Sequence, residues 1–325
     1  MNSNKYKKFD HPLYDINKKW IKRKLYQIIT SKKERQALDR FLYTQHGLFL
    51  AQHCRTSIDL YKANKLIEYN INPLKRLPSK IIWQYWGQGI RNAPQIVEKC
   101  YKSIDKYRGD YLIIRLDDDS LKEYINIPDF ILKKYQEQII PQALFSDIIR
   151  LALLHAYGGI WIDSTMLLTD SMPENLLAVD FFAFQRTNDA IDKEKWEKFS
   201  FQYFGWNPSH TVNMLNSFMI AKKNNLIINR LLNLLINYWR DNNFVDFYFL
   251  FQVFFNELAT REFYGKTGPI IDDTLPHLLQ FNLDFPYSQA QFDKIKNRCF
   301  IHKLTHKKES IIPNSFYDYI LNKNF

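Results

Sequence analysis

The sequence predicts an α/β protein with a mainly parallel sheet covered on both faces, preceded by a helical region. Three observations carry this. From Lys80 onward, short apolar runs alternate with longer stretches of helical periodicity. Between Ala143 and Thr165 (ALFSDIIRLALLHAYGGIWIDST) a long apolar helix passes through two glycines into a short apolar strand. Residues 1–77 show helical patterning and none of the strand signals seen later, which divides the chain into a helical region, 1–77, and an α/β domain, 78–325.

In the first region, Lys18, Lys19, Lys22, Arg23 and Lys24 interleave with Trp20, Ile21, Leu25, Ile28 and Ile29. This pattern fits a basic amphipathic helix on an anionic membrane surface. It equally fits an ordinary helix packed on the main domain with a solvated basic face. Asn72–Pro78 reads as a linker or entry loop, because its prolines break both helix and sheet. Ile81–Trp86 then reads as a strand, Gly87–Pro94 as a loop, Gln95–Tyr107 as a helix and Tyr111–Leu116 as a second strand. One or two helices, interrupted at Pro128, occupy Leu121–Gln138.

In the central stretch, Leu144, Ile148, Leu151 and His155 recur at helical spacing, and a helix so apolar all round is expected to be buried. Gly158-Gly159 permits a tight reversal into Ile160–Ile162, which is too short and apolar to face water. That strand delivers Asp163 to its C-terminal end, where open α/β sheets bind ligands. Phe181–Gln185 and Ser217–Ala221 are further strands, Asn225–Asp241 and Asp246–Thr260 further helices, and the tail from Ile301 to Phe325 is expected to wrap the surface.

A chain of 325 residues, 46% hydrophobic and 16% aromatic, can bury a sizeable core. Its formal net charge of +11 favours anionic partners: nucleotide diphosphates, anionic lipid surfaces or nucleic acid. No zinc spacing, RNP-like motif or basic recognition helix accompanies that charge, so nucleic acid is not the expected partner. The start, MNSNKYKKFD, has no apolar leader, and no run of about 18 uncharged apolar residues suggests a membrane span. The expected location is cytoplasmic, at most peripheral on the inner face of the cell membrane. Cys54, Cys100 and Cys299 form no metal or redox spacing and read as buried free thiols. Usage rich in Lys, Asn and Ile points to an AT-rich bacterial genome.

Chemistry concentrates in the central stretch. Asp163 at a strand end is a good ligand for a hard divalent cation, or alternatively a capping aspartate in a turn. Asp147 and Arg150, three apart on one helix, can pair as an internal ion pair or be retained for a ligand.

Phe145–Thr165 resembles the core of the capsular polysaccharide synthesis protein family, itself similar to glycosyltransferase family 32 and to the catalytic core of glucosylating toxins. Leu77–Gly87 (LPSKIIWQYWG), Asn216–Asn225 (NSFMIAKKNN) and Ile301–Thr305 (IHKLT) resemble that family's first strand, acceptor-side entry and closing motif. The resemblance spans residues 77 to 306. It implies a GT-A-type, Rossmann-like nucleotide-sugar-binding domain carrying a helical N-terminal appendage. It also implies a hexosyltransferase that uses a nucleotide diphosphate sugar, UDP-linked by expectation, with retention of configuration.

Carried over, the resemblance makes Asp163, Asp147 and Arg150 catalytic. Trp86, Asp147, Arg150, Gly159, Trp161 and Lys303 would bind the donor, with Trp86 under the base and Trp161 lining the pocket. Mn²⁺ or Mg²⁺ would sit on Asp163, Thr165 and His302, although Thr165 stands where the Asp-x-Asp pattern has its second carboxylate. Asp117-Asp118-Asp119 contains an Asp-x-Asp but lacks the preceding glycines, and fits a ribose-side or helix-capping loop better. Asn216, Asp246 and Gly268 are the acceptor-side candidates. The implied partners are a nucleotide-sugar donor and an oligosaccharide acceptor, lipid-linked by expectation. The Thr165 departure keeps open a second reading, a catalytically weak sugar-nucleotide binding protein. A glycoside hydrolase is disfavoured, because no second carboxylate stands out beside Asp163.

Overall fold

The computed structural model describes residues 19–244, 247–308 and 310–323, with side chains from Arg23 onward. In chain order it contains α1 (Lys19–Ile28), α2 (Lys32–Lys62), β1 (Ile81–Tyr85), α3 (Gln95–Tyr107), β2 (Leu112–Leu116), α4 (Asp129–Gln136) and α5 (Gln142–Tyr157). Next come β3 (Gly159–Ile162), β4 (Met166–Leu168), α6 (Glu174–Leu177), β5 (Phe181–Gln185), α7 (Lys193–Ser200), β6 (Met214–Ala221) and α8 (Leu226–Asp241). The chain ends with α9 (Leu250–Arg261), α10 (Leu278–Asn282), α11 (Gln289–Lys296), β7 (Ile301–Lys303) and α12 (Phe316–Asn322).

Five strands form one sheet in the order β2-β1-β3-β6-β5, and β4 with β7 forms a separate ribbon. The architecture is α/β, as expected, but the sheet is mixed. β1 runs parallel to β2 and β3, whereas β6 is antiparallel to both β3 and β5. The reason is connectivity. Residues 186–213, which contain α7, leave β5 and enter β6 at the same end of the sheet, and adjacent strands joined in that way run antiparallel.

The helix–glycine–strand unit forms the centre. Every residue of α5 from Asp147 to Tyr157 is buried. Gly158 and Gly159 adopt φ of +72° and +103°. A Cβ on Gly158 would lie 2.5 Å from the Lys223 nitrogen, and one on Gly159 would lie 2.5 Å from the Ile81 carbonyl oxygen. Glycine is therefore required here for close approach as well as for backbone angle. Trp83 of β1, fully buried, donates its indole N–H to the Gly158 carbonyl at 2.9 Å and ties the turn to the sheet.

Leu50, Ala51, Cys54 and Ile58 of α2 pack into the same core as the sheet, and Arg55 forms a 2.7 Å ion pair with Glu257 of α9. On α1, Arg23, Lys24 and Ile28 are exposed, while Arg35 holds the helix end through the carbonyls of Tyr26 and Ile29. The tail is more than a wrapper: its β7 pairs with β4, with Met166 opposite Lys303. Among the described residues no helix is long and apolar enough to cross a membrane, and all three cysteines are free and buried.

Candidate functional site

A cavity of about 850 Å³ opens at the C-terminal ends of β1 and β3, within the range of small-ligand sites. Tyr85 and Trp86 close one side and Asp163, Ser164 and Thr165 the floor. Asn216 and Ser217 enter from β6, Lys303 from the end of β7 and residues 304–307 from just beyond it, while Phe199, Tyr203, Tyr248 and Phe249 form an aromatic flank.

Asp163 is the hub. Its backbone N–H donates to the Ser217 carbonyl at 2.8 Å, extending the β3–β6 pairing by one residue. Its Oδ1 accepts from Arg150 Nη2 at 2.9 Å and from Trp161 Nε1 at 2.7 Å, and its Oδ2 accepts from Lys303 Nζ at 3.0 Å. Burial acts to raise its pKa, but Lys303 and Arg150 outweigh that and hold the carboxyl well below the usual range.

Arg150, 3% exposed, bridges the two acids: its Nη1 donates to Asp147 Oδ1 at 2.5 Å. The guanidinium lies 4.9 Å from the Trp161 ring centre, and its buried Nε has no hydrogen-bond partner. Asp147, 6% exposed, also accepts from Asn216 Nδ2 at 2.9 Å. Burial raises its pKa to about 6, with Arg150 opposing and Asp163 reinforcing the shift. Lys303 Nζ donates to Ser217 Oγ at 2.8 Å as well, leaving one ammonium proton for a ligand.

Thus Asp147, Arg150, Asp163, Lys303 and Asn216 come together, and Trp86 and Thr165 line the same cavity. Trp86 is half-buried with His306 edge-on at 5.1 Å. Other expected site residues lie elsewhere. Trp161 is buried behind the cavity rather than lining it, and acts through its N–H to Asp163. Gly159 sits at the opposite end of β3, where its missing side chain admits the Ile81 carbonyl. Gly268, at φ +75°, is packed against the Phe181 carbonyl at the start of β5, outside the cavity. Asp246 lies outside the described residues. Asp117 is a turn cap, accepting from Ser120 N–H at 3.0 Å and Ser120 Oγ at 2.6 Å.

The expected set for Mn²⁺ or Mg²⁺ does not assemble. His302 pairs opposite Leu167, is fully buried, and contacts Thr169 Oγ1 at 3.0 Å through Nε2. Strand alternation turns it away from the side that Lys303 occupies. Burial pushes its pKa down to about 3. Both Asp163 oxygens already face N–H donors, Thr165 offers only a neutral hydroxyl, and no group of three His, Cys, Asp or Glu side chains among the described residues can hold a metal ion.

The lining residues absent from the expected set include two basic side chains, His306 and the exposed Lys307. The run HKLTHKK at 302–308 was the available signal, a dense cluster of bases just past a strand.

The fold and site define an α/β protein with a cavity at its parallel strand ends, flanked by Arg150, Lys303 and Lys307. Residues 23–320 match the model of the capsular polysaccharide synthesis protein family, and the chain belongs to that family. Several solved structures are similar, two glycosyltransferases among them. One is titled PaToxG glycosyltransferase (16% identity, 80% of this chain and 95% of that one covered, TM-score 0.34). The other is a glycosyltransferase involved in the glycosylation of the major capsid of PBCV-1 (10% identity, 70% and 93% covered, TM-score 0.33). Comparison with curated proteins finds no match.

Proposed function

We propose that the protein is a GT-A-type glycosyltransferase that moves a hexose from a nucleotide diphosphate sugar, UDP-linked by preference, to a growing capsular or surface polysaccharide. The observation that carries this reading is the hub of Asp147, Arg150, Asp163 and Lys303 on the floor of the cavity. Two fixed cations beside a wide cavity suit a diphosphate leaving group, and a half-buried Trp86 at its edge offers a flat face for a base.

In the transfer, the bond from the sugar C1 to the phosphate oxygen breaks and its electron pair stays with the diphosphate. Arg150 and Lys303 stabilise the charge that develops there. The acceptor hydroxyl forms the new bond to C1 and its proton passes to the departing phosphate oxygen. Asp147 and Asp163 are both engaged by Arg150, and neither is a free nucleophile for double displacement. This favours front-face attack with retention. The aromatic flank of Phe199, Tyr203, Tyr248 and Phe249 suits a carbohydrate acceptor, with Asn216 near the join. A lipid-linked acceptor would bring the enzyme to the inner membrane surface through the basic stretch near α1, where Arg23 and Lys24 are exposed.

The test is incubation with a panel of UDP-, GDP- and dTDP-sugars, following release of the free nucleoside diphosphate. Turnover of one donor supports the proposal, and an α-linked donor that gives a β-linked product contradicts retention. Tight nucleotide binding without turnover across the panel would favour the binding-protein reading. Sugar release from a glycan with no nucleotide present would mark a hydrolase.

A further inference from the structure

We infer that a diphosphate in this cavity is neutralised by the protein's own cations, Arg150, Lys303 and Lys307, and not by a divalent metal ion. Asp163 serves as the positioning residue that aims two of them. The inference rests on the nucleotide-sugar reading above and specifies how that site handles charge.

The geometry around Asp163 carries it. A carboxylate that binds a metal ion presents bare lone pairs to it. Here Oδ1 accepts from both Arg150 and Trp161 and Oδ2 accepts from Lys303, at 2.7–3.0 Å, so three of about four acceptor positions face N–H donors, two of them cationic. A cation at either oxygen would displace a lysine or an arginine, or sit beside both with like charge. Among the described residues the only acids lining the cavity are Asp147 and Asp163, and Arg150 spans the pair. Asp118, the next described acid, stands behind the lining and is engaged by the Tyr85 and Tyr135 hydroxyls.

The basic side is built as fully as the acidic side is spent. Lys303 is fixed by Asp163 and Ser217, with one proton left to donate. Arg150 lines the cavity, is 3% exposed, and has a buried Nε with no partner. Lys307 adds a third charge four residues beyond Lys303, and Thr305 and Thr165 contribute hydroxyls between. Leu304 N–H donates to the Thr165 carbonyl at 2.9 Å, which holds the basic segment against the Asp163 turn.

The experiment is calorimetric titration of the full-length protein with UDP, and with GDP if UDP is silent. Each is run in excess EDTA and again with millimolar Mn²⁺ or Mg²⁺. The expected result is equal affinity in both conditions. Lys303→Met should weaken it about tenfold or more, as loss of a charge-assisted contact does. Because Lys303 also anchors Asp163, the exposed Lys307→Met is run beside it, with a smaller weakening expected and native thermal stability. Binding that requires the metal overturns the inference and leaves the glycosyltransferase reading standing. Wild-type affinity in both lysine variants overturns it too. Failure of both nucleotides to bind in any condition overturns the inference together with the reading beneath it.

Discussion

Replacing Asp147 by Asn isolates the carboxyl in the site whose ionisation burial opposes. Asp147 is 6% exposed, faces Arg150, Asn216 and Asp163, and has its pKa raised from 3.8 to about 6 by burial, which outweighs Arg150. The folded protein therefore holds this proton where the unfolded chain has released it. Stability conferred at this position falls as pH rises from about 4 through about 6, then levels off. A shift of about two units corresponds to about 3 kcal/mol at 1.36 kcal/mol per unit. Asp163 does not blur this window: its depressed pKa keeps it ionised throughout, with its contribution lost only at more acidic pH. Urea denaturation of wild type and Asp147→Asn, followed by tryptophan fluorescence at several pH values from 4 to 7.5, reads the effect as a difference. Wild type should lose about 3 kcal/mol relative to the variant across that range. A difference that stays constant with pH would refute the assignment of a burial-raised carboxyl at Asp147.

Three other changes probe separate parts of the structure. Trp86→Ala should weaken nucleotide binding by about 1–3 kcal/mol, the usual worth of a base–aromatic stack, while Trp86→Phe retains most of it; calorimetry distinguishes the two. Gly159→Ala should lower the denaturation midpoint by an amount corresponding to about 1–3 kcal/mol, since its Cβ would press on the Ile81 carbonyl at φ +103°. Arg186→Met should cost about 3–5 kcal/mol in chemical denaturation, because it strands Asp273, whose side chain is fully buried against Arg186 at 2.6 Å.

Much of the site was legible because it is local. Asp147 and Arg150 are two charges on an otherwise apolar helix, and the two glycines fix how the strand bearing Asp163 returns beside it. Phe181–Gln185 and Gln95–Tyr107 also match their elements end to end, since strand and helix periodicities are unmixed there. What failed depended on long-range pairing. Whether His302 or Lys303 faces Asp163 is decided by the β4–β7 register, and one residue of slip would exchange them. The direction of β6 follows from where a connection of 28 residues re-enters the sheet, which local pattern does not encode. Gly159 and Gly268 carry the look of ligand-approach glycines, yet each admits a carbonyl of a neighbouring strand. Trp161, on a strand of a sheet covered on both faces, is buried behind the cavity and reaches the site only through its ring nitrogen.

The most direct test of the account is a crystal structure of the protein soaked with UDP in metal-free buffer. The diphosphate is expected within hydrogen-bonding distance of Arg150, Lys303 and Lys307, and the uracil against Trp86. Nucleotide bound away from the Asp163 turn, or held there only after Mn²⁺ is added, would contradict it.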